Sequence, residues 1–415
     1  MDGSSEKKED PLQRNHIRVL RAILMTHGAW PIGESFMRTY FTAAVVVSVI
    51  INVFAAGHYI IVNFAELDFI DIGDHCMTEC LAILTLMRSI FVRVKDYGTV
   101  TEEFLTKIHL DHFRHCGENY DKICRRVNQF SYYVTLLMVV IAALGLNFFN
   151  IVPIYNNFRN RNDEDAVTQY SIYLSLPGVN QDMIYTFSTI YNYYISVMCA
   201  VLVCGIDLLM FVMAFHVVGH IMTLRDDINN LPKPKGKKDP VHMKNNYQTN
   251  LHVDIYDNEE NAKIREELLK CIDHHATIVS FAGALSDLFG PILAISYVNH
   301  LVCGALMLLV CTTGDRNSVV RCIPVTIVVF SQLAQISVIF EIMGSESAKL
   351  MDAVYNVQWE CMGANNRKLV HMFLTKVQTP IRVTALGMVD VGVEAMVAIL
   401  KTTFSYYTLL QSLGE

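Results

Sequence analysis

The stretch TALGMVDVGVEAMVAILKTTFSYYTLLQSL, residues 384–413, decides how this chain is read. About 20 predominantly apolar residues suffice for a helix to cross a bilayer, and only Gly414 and Glu415 follow this run. It is also two-faced. Glu394, Ala398, Lys401, Ser405, Thr408 and Ser412 recur at steps of four, three, four, three and four. At about 100° per residue these positions share one narrow helix face. Val393, Val397, Leu400, Phe404 and Tyr407 occupy another. A span that meets only lipid has no use for a small, polar and charged stripe, so this one faces water or another helix.

Working outward, similar apolar segments lie at Tyr40–Phe64, Gly73–Val92, Phe130–Asn150, Ile184–Phe215, Ile278–Val310 and Val319–Ile342. The second carries Asp74, Glu79 and Arg88. Together with the last segment they predict an all-α membrane protein of seven spans. The composition agrees: 18% of residues are charged, against about 25% in soluble domains, and the mean hydropathy is +0.32. A cleavable signal peptide would need its apolar core well before Tyr40, so none is expected. The net charge of −7 is spread through the loops and implies no acidic or basic partner. No basic–aromatic run suggests nucleic acid.

Loop charge orients the spans. Arg14, Arg18 and Arg21, the Arg93–Arg126 loop, the Arg225–Lys270 loop and the Lys349–Arg382 loop all fall on one side. The other side holds only Arg159, Arg161, Arg316 and Arg321. The N-terminus is therefore expected in the cytoplasm and the C-terminus outside. That orientation is opposite to a G-protein-coupled receptor, and the chain also lacks an Asp-Arg-Tyr after span three and an Asn-Pro-x-x-Tyr in span seven.

The inner segments are more than linkers. Tyr97–Phe130 reads as an amphipathic helix continuous with span three, and span four runs on through His216 and His220 to about Asn230. Span five begins near Ala262, which makes it about 70 Å long to Val310, more than twice a bilayer core of about 30 Å. Several helices should project together as a cytoplasmic bundle. The organisation expected is a cytoplasmic segment at 1–39, spans one to six at 40–343, an anchor helix at 344–380 and the seventh span at 381–415. The Pro- and Lys-rich loop near 231–260 reads as disordered. The outer loop Ile151–Met183 carries Tyr155, Phe158, Tyr170, Tyr173 and Pro177, and is either a lid over a ligand entrance or an ordinary packed loop.

An enzyme is not expected: no Gly-rich phosphate loop, nucleophile elbow or metal spacing appears, and His274-His275 is adjacent rather than i, i+4. No cofactor is implied. There is no C-x-x-C among the eleven cysteines. Cys311 and Cys322 flank one short loop and are either a disulfide or two small buried thiols. A secondary transporter is the rival from another class. Arg88, Asp207 and Asp287 would be its intramembrane charges, but none has an evident partner in sequence, and no internal repeat supports it.

The last 75 residues or so carry a more specific signal. Ile339-Phe-Glu-Ile-Met-Gly-Ser-Glu-Ser347 is followed by Lys349-Leu-Met-Asp-Ala-Val-Tyr-Asn356 and Trp359. Then come Arg367-Lys368, Gln378-Thr-Pro-Ile-Arg-Val-Thr-Ala385 and Ile399-Leu-Lys-Thr-Thr-Phe-Ser-Tyr-Tyr-Thr-Leu-Leu-Gln411. This ordered series resembles the C-terminal signature of the insect odorant receptors. The related gustatory receptors typically carry Thr-Tyr, five residues, then Gln-Phe, where this chain has Ser405-Tyr406 and Ser412-Leu413, so that branch fits less well. The family's co-receptor is longer, with a larger loop after span four, so the chain resembles a ligand-tuning subunit. The resemblance implies a ligand-gated, non-selective cation channel, heterotetrameric with the co-receptor, in the plasma membrane of olfactory sensory dendrites.

It also implies site residues. Each subunit would give its last helix to a central pore, with Leu409 as an apolar gate, Thr408 and Ser412 beside it and Ser405 below. Asp390, Glu394 and Lys401 would lie in a vestibule, Lys401 meeting either a wide space or a carboxylate. On periodicity alone a packing seam between helices competes with the pore reading. A volatile ligand would lie in the outer half of the membrane. Cys80, Ile83 and Met87 of span two and Ala143, Leu146 and Asn147 of span three would line it. Span four would add Phe187, Tyr191, Tyr194 and Met198, span five Tyr297 and His300, and span six Thr326 and Phe330. An interfacial aromatic belt or plain packing explains the same residues otherwise.

Overall fold

The computed structural model describes residues 11–31, 36–162, 167–175, 178, 181–234, 255–314 and 316–414. Pro177 and most of the 231–260 loop lie outside the described residues. Among the described residues ten helices follow in order: α1 (Asn15–Met25), α2 (Phe36–Asn63), α3 (Phe69–Phe91), α4 (Lys95–Glu103), α5 (Glu118–Arg159), α6 (Tyr185–Asn229), α7 (Asn258–Thr313), α8 (Arg316–Tyr355), α9 (Ala364–Val377) and α10 (Val393–Gly414).

Five of them, α2, α5, α6, α7 and α8, are long and apolar enough to cross a membrane on length and composition alone. α3 and α10 complete the seven spans. Each falls short for a reason visible in its contacts. On α3, Asp74 pairs with Arg321 and Arg88 pairs with Asp207 at 2.5 Å. Charges inside a membrane bundle persist when they turn inward and find each other. The Arg88–Asp207 pair is thus a partnership that sequence alone leaves undetected. On α10 the lowered hydropathy comes from its polar stripe.

α6 is the central helix, buried almost without interruption from Leu202 to Leu224. It packs against α1, α3, α5, α7 and α8. α5, α6, α7 and α8 run for 42, 45, 56 and 40 residues. At about 1.5 Å per residue, α7 alone spans about 84 Å, far beyond a bilayer core of about 30 Å. The surplus lengths gather at one end with α1, α4 and α9. There Val370, Phe373 and Val377 of α9 join the main core. The long α7 starts on a capping box: Asp257 accepts the Glu260 N–H at 2.8 Å and Glu260 accepts the Asp257 N–H at 3.0 Å. Two otherwise orphaned donors are satisfied reciprocally.

The structure departs from the sequence reading at three joints. Tyr97–Phe130 is not one helix continuous with span three. α4 passes through a π-helical turn (Phe104–Ile108) and a 3-10 turn (Leu110–Cys116) before α5 begins at Glu118. The cause is tertiary. Asp111 is drawn inward to accept from Arg14 at 2.6 and 2.8 Å, Asn128 at 3.1 Å and the Cys124 thiol at 3.2 Å. Residues 346–376 form the end of α8, a short turn at Trp359–Cys361, and α9, rather than one anchor helix. After Pro380 comes a hairpin of β1 (Thr384–Ala385) and β2 (Val389–Asp390), with Thr384 opposite Asp390. Its tip uses left-handed backbone at Leu386 and Gly387. It presses on α7 so closely that a Cβ at Gly290 would stand 2.8 Å from the Thr384 carbonyl oxygen.

Of the two readings of Cys311 and Cys322, the structure has the free thiols. Cys322 is buried with its sulfur 3.8 Å from Met77 Sδ, and Cys311 lies 3.7 Å from the Thr326 hydroxyl.

Candidate functional site: ligand cavity and C-terminal helix

A cavity of about 110 Å³ lies inside the bundle, with walls from α2, α3, α5, α6 and α8. Val49 and Asn52 come from α2. Thr78, Leu81, Ala82 and Thr85 come from α3. Gly145, Leu146 and Phe149 of α5, Cys199, Val203 and Cys204 of α6, and Val325, Val329 and Gln332 of α8 complete most of the wall. A void near this size, about 150 Å³, accommodates a benzene ring in an apolar core. Most wall hydroxyls are already spent on backbone: Thr78 on the His75 carbonyl, Thr85 on Leu81, and Ser196 on Asn192. The Gln332 amide meets the Cys204 sulfur at 3.2 Å. Asn52, 1% exposed, is the exception, because its amide oxygen has no hydrogen-bond partner among the described residues.

The cavity has a roof and a floor. Ile172, in the segment 167–175, closes one end, its carbonyl accepting from Asn192 at 2.8 Å and Gln181 at 3.3 Å. Beyond it lies a more polar chamber of about 300 Å³ lined by Asp71, Asp74, His75, Tyr170, Tyr173 and Arg321. The described part of the loop is therefore packed, with Ile172 on the cavity wall. At the other end Arg88, fully buried, bonds Asp207, the Ser296 hydroxyl at 2.7 Å and the carbonyl of wall residue Val203 at 3.0 Å. This ties α3, α6 and α7 one turn below the wall.

Among the residues expected at a ligand site, Leu146 stands on this wall. Cys80, Ile83 and Met87 lie about half a turn from the lining face of α3, and Ile83 and Met87 are each 41% exposed. The reason is electrostatic: Asp74 and Arg88 find partners inside, and with that face fixed Ile83 and Met87 turn outward. Ala143 is exposed, and Asn147 accepts from the Tyr193 hydroxyl at 3.2 Å. On α6, Phe187 is exposed, Tyr191 donates to the Ser48 carbonyl at 2.9 Å, Tyr194 bridges two packed clusters and Met198 is core. α7 contributes nothing to the wall. Tyr297 packs on the main core, and His300 is bonded to the Ser296 carbonyl. Thr326 donates to the Cys322 carbonyl at 2.9 Å, and Phe330 packs near Gly304. Val49 and Asn52 were missed, although a lone Asn inside an apolar span is itself a signal.

The last helix resolves its own two-faced pattern. Thr403, 1% exposed, is the centre of the face that α10 packs on α7 and α8, flanked by the half-buried Met396, Ile399, Tyr407 and Leu410. The approach is tight, since a Cβ at Gly304 of α7 would lie 3.0 Å from the Thr403 methyl. Glu394, Ala398, Lys401, Ser405, Thr408 and Ser412 are all exposed and centre about 180° away. Leu409 is 52% exposed, on the edge of that stripe. The stripe is thus no seam within its own bundle. Asp390, Glu394 and Lys401 share one open chamber of about 1330 Å³ with Glu341 and Arg382. Asp390 pairs with Arg382 at 2.8 Å, while Lys401 makes no ion pair among the described residues.

A sequence model described as the 7tm odorant receptor matches residues 69–404. The chain belongs to the 7tm odorant receptor family. Among curated relatives from Drosophila melanogaster, this receptor is 28% identical to odorant receptor 13a over 166 residues, 35% of this chain and 38% of the relative. It is 25% identical to odorant receptor 22c over 162 residues, 39% of this chain and 40% of the relative. The matched stretch thus spans about two fifths of each relative's length. Its fold is similar to that of the insect olfactory receptor OR5 from Machilis hrabei in complex with eugenol. The TM-score is 0.75 at 10% identity, over 95% of this chain and 97% of that one. A second structure of the same receptor gives a TM-score of 0.74 at 11% identity. This odorant receptor is accordingly a multi-pass helical membrane protein.

Proposed function

We propose that this receptor is the odorant-binding subunit of a ligand-gated, non-selective cation channel. The observation that carries this reading is the orientation of α10. Its small and polar stripe turns away from its own bundle while Thr403 anchors the opposite face. A stripe so directed lines a path shared with neighbouring subunits around a central axis. Leu409 closes that path as an apolar ring, which opens on a modest outward movement. Ser405, Thr408 and Ser412 border the path. Asp390, Glu394 and Glu341 supply negative charge to the vestibule, where Lys401 faces wide space.

The ligand is a small volatile molecule held in the 110 Å³ cavity. Dispersion and desolvation on Val49, Leu81, Phe149, Val203 and Val329 supply affinity, and Asn52 rewards a ligand that donates a hydrogen bond. The eugenol named with the Machilis receptor is a phenol of that general kind. The segment 167–175 serves as lid, and the chamber at Arg321 as its antechamber. Loop charge puts α1, α4 and α9 in the cytoplasm and the lid outside, in the membrane of a sensory dendrite, with a co-receptor completing a heterotetramer. A transporter reading loses its motive, because Arg88 and Asp207 neutralise each other rather than a substrate.

Whole-cell current in a non-neuronal cell, with and without the co-receptor, tests the reading during a screen of volatile compounds. Rapid cation current only with both chains, insensitive to G-protein block, is the expected result. Odorant uptake without current, in cells where both chains reach the surface, refutes it.

A further inference from the structure

Away from the cavity and the pore helix, three histidines from distant parts of the chain meet. His16 comes from α1, His109 from the turn before Leu110, and His216 from the far part of α6. They are 2%, 0% and 0% exposed. One ligand atom from each lies within 4.8 Å of the other two. The rings of His109 and His216 are 4.1 Å apart, and His16 stands 6.4 and 6.3 Å from them. The Nε2 atom of each is buried with no hydrogen-bond partner among the described residues. Each unpaired buried polar group costs folding free energy. Three such atoms within one cluster of packed imidazole rings are not how interiors are ordinarily built.

We propose that His16, His109 and His216 bind a divalent transition-metal ion of the zinc class through their Nε2 atoms. Imidazole nitrogens suit that ion, and three of them with a fourth, exchangeable position is a common zinc arrangement. Tetrahedral binding at about 2.0–2.1 Å places ligand nitrogens about 3.3 Å apart. The cluster therefore contracts by at most about 1.5 Å from its present 4.8 Å limit.

At His109 the surroundings fit a metal-ligating histidine. The Asp111 carboxylate lies 3.4 Å from His109 Nδ1 and is itself fixed by Arg14, Cys124 and Asn128. With the proton on Nδ1, His109 donates to that carboxylate and offers its Nε2 lone pair. The Asp111 N–H, now 3.3 Å from the same nitrogen, gives way to it. His216 presently accepts the Leu110 N–H at Nδ1, at 3.2 Å. Coordination through Nε2 moves that ring's proton to Nδ1 with no net proton change, and the Leu110 bond is released. The turn at His109–Asp111 is thus the part that re-aims on binding. Phe104 packs edge-on against both His109 and His216, at 5.5 and 5.2 Å. The ion staples α1 and this turn to the central helix, whatever ligand opens the channel.

The purified full chain in detergent, stripped with chelator, is titrated with Zn²⁺ by calorimetry and examined by zinc X-ray absorption. One ion per chain, with three imidazole nitrogens at about 2.0–2.1 Å, is expected. His16→Gln weakens binding by roughly a hundredfold or more, judged against outer-shell changes that cost 10–100-fold, while the gel-filtration profile is retained. Binding undiminished in His16→Gln, or no saturable binding in the unsubstituted chain, overturns the proposal. If His16→Gln does not fold, the absorption spectrum of the unsubstituted chain decides, and fewer than three imidazoles rejects the site.

Discussion

Replacing Arg88 by Met strips the buried floor beneath the cavity of its only cation among the described residues. The guanidinium donates to Asp207 at 2.5 Å, to Ser296 at 2.7 Å and to the Val203 carbonyl at 3.0 Å, all in a site where Arg88 is 0% and Asp207 2% exposed. The second Asp207 oxygen has no partner, so Arg88→Met leaves a carboxylate buried and uncompensated. Breaking such a pair costs about 3–5 kcal/mol, roughly a hundred- to several-thousand-fold in the folded population at 1.4 kcal/mol per decade. Asp207→Leu strands the guanidinium and costs a comparable amount. The double variant Arg88→Met/Asp207→Leu removes both charges and returns to within about 1 kcal/mol of the parent, because matched apolar residues replace buried ion pairs at little cost. Thermal midpoints of detergent-purified protein, read with surface density in cells, give the cycle. At about 1–2 °C per kcal/mol for a chain this long, each single variant falls by roughly 3–10 °C. Single variants within about 1 kcal/mol of the parent, or a double variant as unstable as the two singles summed, would refute the argument that the pair is a mutual neutralisation.

Other expectations follow from the same geometry. Asn52→Leu fills the one polar gap in the wall, so dose–response curves should lose up to about tenfold potency for hydroxyl-bearing ligands and little for their methyl ethers. Gly304→Val drives a side chain into Thr403 and Phe330, shifting α10 on α7, and basal and maximal currents should change while surface density is kept. Leu409→Ser weakens the apolar ring and should raise ligand-independent current, with unchanged basal current and selectivity counting against the gate.

The spans and the two-faced last helix were legible because hydropathy and the 3.6-residue period are local properties. Which face of a span looks inward was not. On α3 the apolar residues Ile83 and Met87 face out, since Asp74 and Arg88 are satisfied only by Arg321 and Asp207 from distant helices. In lipid, an apolar face has no reason to turn inward, so the usual core logic inverts. The break at His109–Asp111 was hidden for a similar reason: Arg14 and Asn128 override an amphipathic pattern that otherwise reads as continuous helix. The hairpin at Thr384–Asp390 escaped notice because its residues are as apolar as the helix that follows. For α10, by contrast, every residue of the stripe read from sequence is exposed, and Val397, Leu400 and Phe404 of the face set against it are exposed as well.

The most direct test of the central claim is cysteine scanning of α10 in the receptor–co-receptor complex, with a charged thiol reagent applied during odorant-evoked current. Ser405→Cys, Thr408→Cys and Ser412→Cys should be modified rapidly in the open state and alter the current. Met396→Cys, Thr403→Cys and Tyr407→Cys, on the packed face, should be inert. Modification of the packed face with the stripe protected, or no modification of either during conduction, would contradict a pore lined by this helix.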